Sequence, residues 1–244
     1  EIVCAVGGED VLAGRTSACD YPVSVTEDVP VVGSFGKPSL ESVLSVGPTL
    51  VLDVDLADES IGRKIEKLGI RRERISCNSI RDIPVAIRRV GGLIGRADAA
   101  GKLALDIEER LEMLSQGAVS VTNRPRVYVE IWDDPLWTAG SKSHVSRMIY
   151  LAGGRNIGDS IEKDHFQASH EWVVSRNPEI ILCMYMSRNE SARKKIVNRP
   201  GWQAVNGVVE KNIFDGFDNN LILRPGPRVA QGIEKLRECI DASD

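Results

Sequence analysis

His144, His165 and His170 are the only imidazoles in the chain, and two of them sit beside carboxylates, His165 next to Asp164 and His170 next to Glu171. A transition-metal site built by protein alone needs three or four convergent N, O or S donors. His170 falls in the first turn of a helix, where its counterpart in an internal repeat is Leu40, and is read as structural. His165 is the more open candidate, with an imidazole that could give one ligand to a metal. Cys4, Cys19, Cys77, Cys183 and Cys239 show no C-x-x-C spacing, so neither a zinc site nor a redox pair is indicated, and most are expected to be small buried hydrophobes. No Ser-His-Asp or Cys-His arrangement has a nucleophile context, and no two carboxylates stand out as an acid/base couple. Gly91-Gly92 and Gly153-Gly154 do not follow G-x-G-x-x-G, and Gly140-Ser141-Lys142-Ser143 lacks the rest of a phosphate loop; all are read as turns and helix ends. The chemistry on offer is recognition, and the chain is not expected to be an enzyme.

Recognition points to aromatics and arginines. The chain has only four Trp, four Tyr and four Phe, so their placement is informative. Tyr21, Phe35, Trp132, Trp137 and Phe217 fall in or beside predicted loops that follow strands, the edge at which open α/β sheets hold ligands. Core packing is the alternative for each. Trp202, on a predicted short helix after Pro200, is read as structural. Arg224 and Arg228 bracket a Pro-Gly-Pro turn ahead of the C-terminal helix, where a guanidinium could hold a carboxylate or amide of a ligand. The alternative is a helix-opening turn with internally paired arginines.

The elements that would position these residues come from an internal repeat. When the chain is slid so that Ser39 falls on Ser169, Glu41 falls on Glu171, Val43 on Val173, Ser45 on Ser175, Pro48 on Pro178 and Leu52 on Leu182. Each copy reads as a Ser N-cap, a first-turn Glu that suits the helix dipole, a short amphipathic helix, and Gly-Pro or Asn-Pro as the stop. Apolar β-branched runs follow, Thr49 to Val54 and Glu179 to Tyr185, as expected of strands covered on both faces. Between the copies, Asp98 to Ser115 places Leu103, Ile107, Leu111 and Leu114 on one stripe of a predicted helix of about 18 to 20 residues. A strand from Arg126 to Ile131 then opens the second half. The fold class expected is α/β, with two lobes, each a mostly parallel sheet covered by helices, joined by one long backbone helix. The expected boundaries are an N-terminal lobe over 1–95, the linking helix over 96–122 and a C-terminal lobe over 123–244.

The 244 residues, 42% hydrophobic and 27% charged, can bury a sizeable core. The net charge of -4, with both signs interspersed, leaves no basic stripe for a phosphate backbone, so nucleic acid is not an expected partner. No apolar run reaches the roughly 18 to 20 residues that span a bilayer, and Glu1 to Gly8 has no basic n-region or processing site. Any export signal is expected to lie outside this sequence.

The chain resembles the helical-backbone (class III) periplasmic solute-binding proteins of ABC importers that serve cobalamin, ferric siderophores and haem. The resemblance rests on Cys19-Asp20-Tyr21-Pro22, Val32 to Phe35 leading to Pro38-Ser39-Leu40-Glu41, and Asp134-Pro135-Leu136-Trp137-Thr138-Ala139-Gly140. It continues through Leu151 to Ile157, Ser169-His170-Glu171, Arg199-Pro200-Gly201-Trp202 and Arg224-Pro225-Gly226-Pro227-Arg228. The family's first strand and the loop after it have no counterpart before Glu1. The resemblance implies an extracytoplasmic receptor, free in the periplasm or lipid-anchored at the cell surface, that works as a monomer with no intrinsic cofactor. It would bind a metal chelate between its lobes, with a cobalt corrinoid favoured and an iron chelate, ferric siderophore or haem, as the alternative; the loop Phe217 to Arg224 would reach into the cleft, with Arg224 as the ligand contact, Arg228 structural and His165 a candidate axial ligand to the metal of a bound macrocycle. It would pass this cargo to an ABC permease and its ATPase subunits, with Glu41 and Glu171 as a matched pair of docking contacts. A molybdate-type oxyanion binder is a further alternative, and a metal-cluster or tetrapyrrole enzyme of the same architecture is the rival from another class.

Overall fold

The Ser39 hydroxyl accepts the Ser42 N–H at 3.3 Å and the Ser169 hydroxyl accepts the Trp172 N–H at 3.1 Å, so both copies of the repeat open as capped helices, Leu40–Ser45 and His170–Arg176. The likeness extends to the last turn, where Ser45 donates to the Ser42 carbonyl at 2.9 Å and Ser175 to the Trp172 carbonyl at 2.8 Å. Val43 and Val173 are the buried residues of the two helices. Gly47 at φ 57° and Asn177 at φ 45° end the helices in the left-handed conformation, and a strand follows each, Leu50–Asp53 and Ile180–Cys183.

The computed structural model describes residues 1–54, 59–185 and 191–243. They divide into two units, Glu1–Cys77 with Arg81–Glu108, and Asn78–Ile80 with Glu109–Asp244. The division falls inside the helix Ala97–Val119, which has 23 residues and runs past both ends of the segment foreseen from the apolar stripe. Each half of that helix is tied to its own unit, by Arg88 to Glu108 at 2.5 and 2.7 Å on one side and by Arg110 to Glu234 at 3.3 Å on the other. Among the described residues no helix is long and apolar enough to cross a membrane.

In the N-terminal unit, β1 (Gly33–Ser34) and β2 (Lys37–Pro38) form an antiparallel hairpin, and β3 (Leu50–Asp53) lies parallel to β4 (Arg71–Arg74). The helix Asp82–Leu93 supplies the fully buried Ile83 and Ile87, and its Ala86 and Val90 pack on Ile75. Gly91 lies inside this helix, near its end, where a Cβ would stand 2.2 Å from the Ala100 Cβ; the missing side chain lets the next helix approach. Arg72 bonds both Asp53, at 2.5 Å, and Glu59, at 3.0 Å, and joins the strands to the helix Glu59–Lys67.

In the C-terminal unit the strands are β5 (Arg126–Glu130), β6 (Trp132–Asp133), β7 (Leu136–Ala139), β8 (Arg155–Asn156), β9 (His165–Gln167), β10 (Ile180–Cys183) and β11 (Ile213–Phe214). One sheet has the order β11-β10-β5-β8 and is parallel throughout; the other, β6-β7-β9, is antiparallel. Every residue of β10, and Val127 to Glu130 of β5, is buried, which accounts for runs with no polar alternation. The helices His144–Ala152 and Val229–Asp241 pack together beside this sheet. Trp202 is fully buried in the core as foreseen, but it sits in the turns after the helix Ala192–Val197 and not on a helix. Gly201 at φ 82° keeps the backbone turning there.

Candidate functional site

Because β5, β8, β10 and β11 are parallel, their carboxyl ends share one edge of the sheet, and the connections leaving that edge carry Trp132, Trp137, His165 and Phe217. Trp132 and Trp137 follow β5, but they stand on strands and not in a loop: they are register partners across β6 and β7. Trp137 also opposes Gln167, and Ala139 opposes His165, across β7 and β9. Alternation along the strands therefore puts Trp132, Trp137, Gln167 and His165 on one face of the small sheet, with Thr138 and Phe166 on the other. The second face is covered, since Thr138 is buried and the Phe166 ring meets Trp172 edge-on at 5.2 Å. The first is open: Trp132 is 52% and Trp137 38% exposed. Trp132 Nε1 donates to the Asp134 carbonyl at 3.0 Å, which fixes that indole's rim.

His144 Nε2–H donates to the Ile222 carbonyl at 2.8 Å. Burial lowers its pKa from the usual 6.5; the Ile222 bond opposes this, while the nearby His165 adds to it. His165 is lowered as well, by desolvation, with Asp164 opposing. Both rings are neutral at pH 7, so His165 keeps a lone pair for a metal. Among the described residues no group of three or more His, Cys, Asp or Glu could hold a bare ion. The cysteines are unpaired, with Cys4, Cys183 and Cys239 buried, Cys77 half-buried and Cys19 exposed. Burial pushes the Cys77 thiol up to about 11, with help from Asp82, and raises Cys183 further.

Phe217 is half-buried in the bend after β11, and the short helix Asn220–Leu223 follows, with Arg224 as its C-cap. Arg228 bonds Asp218 at 3.0 Å and so ties together the two ends of the segment that carries Arg224, directly after Phe217.

In the N-terminal unit Phe35 is 68% exposed in the turn between β1 and β2. A Cβ on Gly33 would come within 2.6 Å of Lys37 O and Pro38 Cα, so the hairpin requires glycine there. Tyr21 is 41% exposed in a segment pinned by Arg15, whose guanidinium donates to the Thr26 carbonyl at 2.6 Å and the Cys19 carbonyl at 3.2 Å. Backbone bonds from Arg15 and Ser17 to Pro30 and Gly33 draw this segment alongside the one that leads to Phe35. Glu41 and Glu171 are exposed in corresponding first turns, one in each unit. Its own backbone N–H, then the Ser169 hydroxyl, hold the Glu171 carboxyl below its usual range.

Two features escaped the sequence. Arg15 is one, and the ion pair between the fully buried Glu130 and the mostly buried Arg199, at 2.6 and 2.9 Å, is the other. A charge ending the apolar run Val127-Tyr128-Val129 was the available signal for the second. The C-terminal unit also has an open cavity of about 490 Å³ lined by Asn123, Glu179, Asn206, Asn212, Arg237 and Asp241. It lies toward the amino ends of the parallel strands, away from the exposed indoles, and no aromatic side chain lines it.

The family described as "Periplasmic binding protein" matches residues 1–218. An uncharacterized ABC transporter substrate-binding lipoprotein, YvrC of Bacillus subtilis, is 26% identical over 98% of this chain and 76% of that protein. A vitamin B12-binding protein of Vibrio parahaemolyticus is 23% identical over 99% of this chain and 86% of its own length. Among solved structures, the periplasmic heme-binding protein RhuT of Roseiflexus sp. RS-1 in apo form superposes with a TM-score of 0.87 at 25% identity, covering 100% of this chain and 95% of that one. The periplasmic vitamin B12-binding protein BtuF of Vibrio cholerae has the same fold, with a TM-score of 0.80 at 21% identity over 100% of this chain and 93% of its own.

Proposed function

The chain belongs to the periplasmic binding protein family, and from that premise we propose that it is the extracytoplasmic receptor of an ABC importer for a flat metal chelate, a cobalt corrinoid by preference. The observation that carries the reading is the open face of β6, β7 and β9, where two exposed indoles and a neutral imidazole stand at the carboxyl edge of the parallel sheet. A planar macrocycle offers apolar faces to such a surface, and indoles bury large area with little loss of side-chain freedom. Trp132, Trp137 and Phe217 would cover the ring from the C-terminal unit, and Tyr21 and Phe35 are the contacts proposed from the N-terminal unit. Arg224 would meet a peripheral carboxylate or amide of the chelate, and His165 would offer an axial nitrogen to its metal.

An iron chelate, haem or ferric siderophore, is the second reading, and His165 is the residue that favours haem within it. The aromatic face speaks against an oxyanion, which calls for a small pocket of backbone N–H groups. The proposal is one of capture and delivery, not turnover, since the cysteines that a cluster enzyme would use are dispersed over separate elements of both units. Glu41 and Glu171 are proposed as permease contacts, one per unit, on a monomeric receptor that is periplasmic or lipid-anchored; the lipoprotein YvrC supports the second form. Reconstituted permease and ATPase subunits test the role. Chelate-loaded receptor is expected to raise ATP hydrolysis above the level with permease alone, and no stimulation by any loaded form would contradict it.

A further inference from the structure

Glu130 is the last residue of β5 and its side chain is fully buried, while that of its partner Arg199 is 11% exposed. The two meet as a bidentate fork, which fixes direction as well as distance. An ion pair taken out of water is a poor way to gain stability, since apolar residues of like volume often serve as well. Its location suggests a different use. The Glu130 carbonyl accepts the Met184 N–H at 2.8 Å, and the next residue, Ile131, donates to the Trp137 carbonyl at 2.8 Å. Trp132 follows immediately. A second ion pair crosses between the same two segments, from Lys195 to Asp133 at 3.1 Å. The residues from the helix Ala192–Val197 to Arg199 thus grip the root of the indole-bearing hairpin at two points. The surroundings are polar as well: the Tyr128 and Tyr185 hydroxyls are buried near the Glu130 carboxylate, so that burial first and its charge second raise both phenols, and the Arg199 guanidinium lies 4.4 Å over the Trp202 ring.

We infer that Glu130 and Arg199 are positioning residues for the ligand face, with Lys195 and Asp133 as an outer brace, and that they set the direction in which Trp132 and Trp137 are presented. The inference rests on the ligand face proposed above, and its test separates the two. Hydrogen–deuterium exchange on the full chain is compared among wild type, Glu130→Gln, Arg199→Lys and Lys195→Met, with cyanocobalamin and hemin as binding probes. Exchange of residues 131–139 is expected to quicken by about tenfold or more in the first two variants and less in the third, while β5 and β10 stay protected. Probe affinity is expected to fall about 5- to 20-fold in step. Unchanged exchange of the hairpin, or a uniform rise across the C-terminal unit, overturns the inference. Should the buried-pair variants fail to fold, Lys195→Met, on an exposed pair, decides by the same local readout. Wild-type protein that binds neither probe counts against the proposed ligand and leaves the exchange result to judge the positioning role.

Discussion

Trp137→Ala is expected to weaken chelate binding by about 7- to 50-fold. A tryptophan carries roughly 250 Å² of surface, and Trp137 is 38% exposed, which leaves about 95 Å² open to a ligand. At about 25 cal/mol per Å², covering all of it is worth about 2.4 kcal/mol, and covering one ring face about half of that. With about 1.4 kcal/mol per decade, these bounds give the stated range. Trp132 has more to offer at 52% exposure, roughly 130 Å² and about 3.2 kcal/mol at most. The fold should lose little, since removing one member of an exposed cross-strand aromatic pair costs about 0.2 to 1 kcal/mol. Calorimetric titration with each chelate that wild type binds, together with a urea melt, separates the two effects. Unchanged affinity in both Trp137→Ala and Trp132→Ala would refute the reasoning, because the largest open apolar area on the small sheet would then play no part.

Three further outcomes follow from the same geometry. Glu41→Ala with Glu171→Ala is expected to keep ligand affinity and lower receptor-stimulated ATP hydrolysis more than either change alone, with a weaker salt dependence; full stimulation by the double variant would leave both residues as helix-terminal charges. Burial lowers the pKa of His144 below its unfolded value, so the unfolded chain takes up the proton first as pH falls, and stability that is full above about pH 6.5 is lost below it. His144→Gln should therefore narrow the difference in urea midpoint between pH 7.5 and pH 5.5, and an equally steep dependence would contradict the assignment. Gly91→Ala places a methyl 2.2 Å from the Ala100 Cβ and should cost about 1 to 3 kcal/mol, read as a lower melting temperature with ligand affinity preserved; an unchanged melt would contradict the close approach.

The repeat was legible because local rules specify it completely. A Ser cap, a buried Val, a left-handed Gly or Asn and a proline each act within one turn, and the structure reproduces them residue for residue from Ser39 to Asp53 and from Ser169 to Cys183. The sequence singles out Trp132 and Trp137 but reads them as in or beside a loop. β6 has only two residues and β7 four, too short for alternation to declare itself beside Asp134-Pro135. Arg15 and the Glu130–Arg199 pair were illegible for a different reason, since their partners come from distant sequence and only the folded chain brings them together.

The central claim, capture of a flat metal chelate, is tested most directly by mixing the purified chain with cobalamin, haem and ferric siderophores in turn, separating free ligand and recording the visible spectrum of the protein fraction. The account predicts one co-eluting chromophore in equimolar amount, a corrinoid by preference. Protein that elutes colourless from all of them would contradict it.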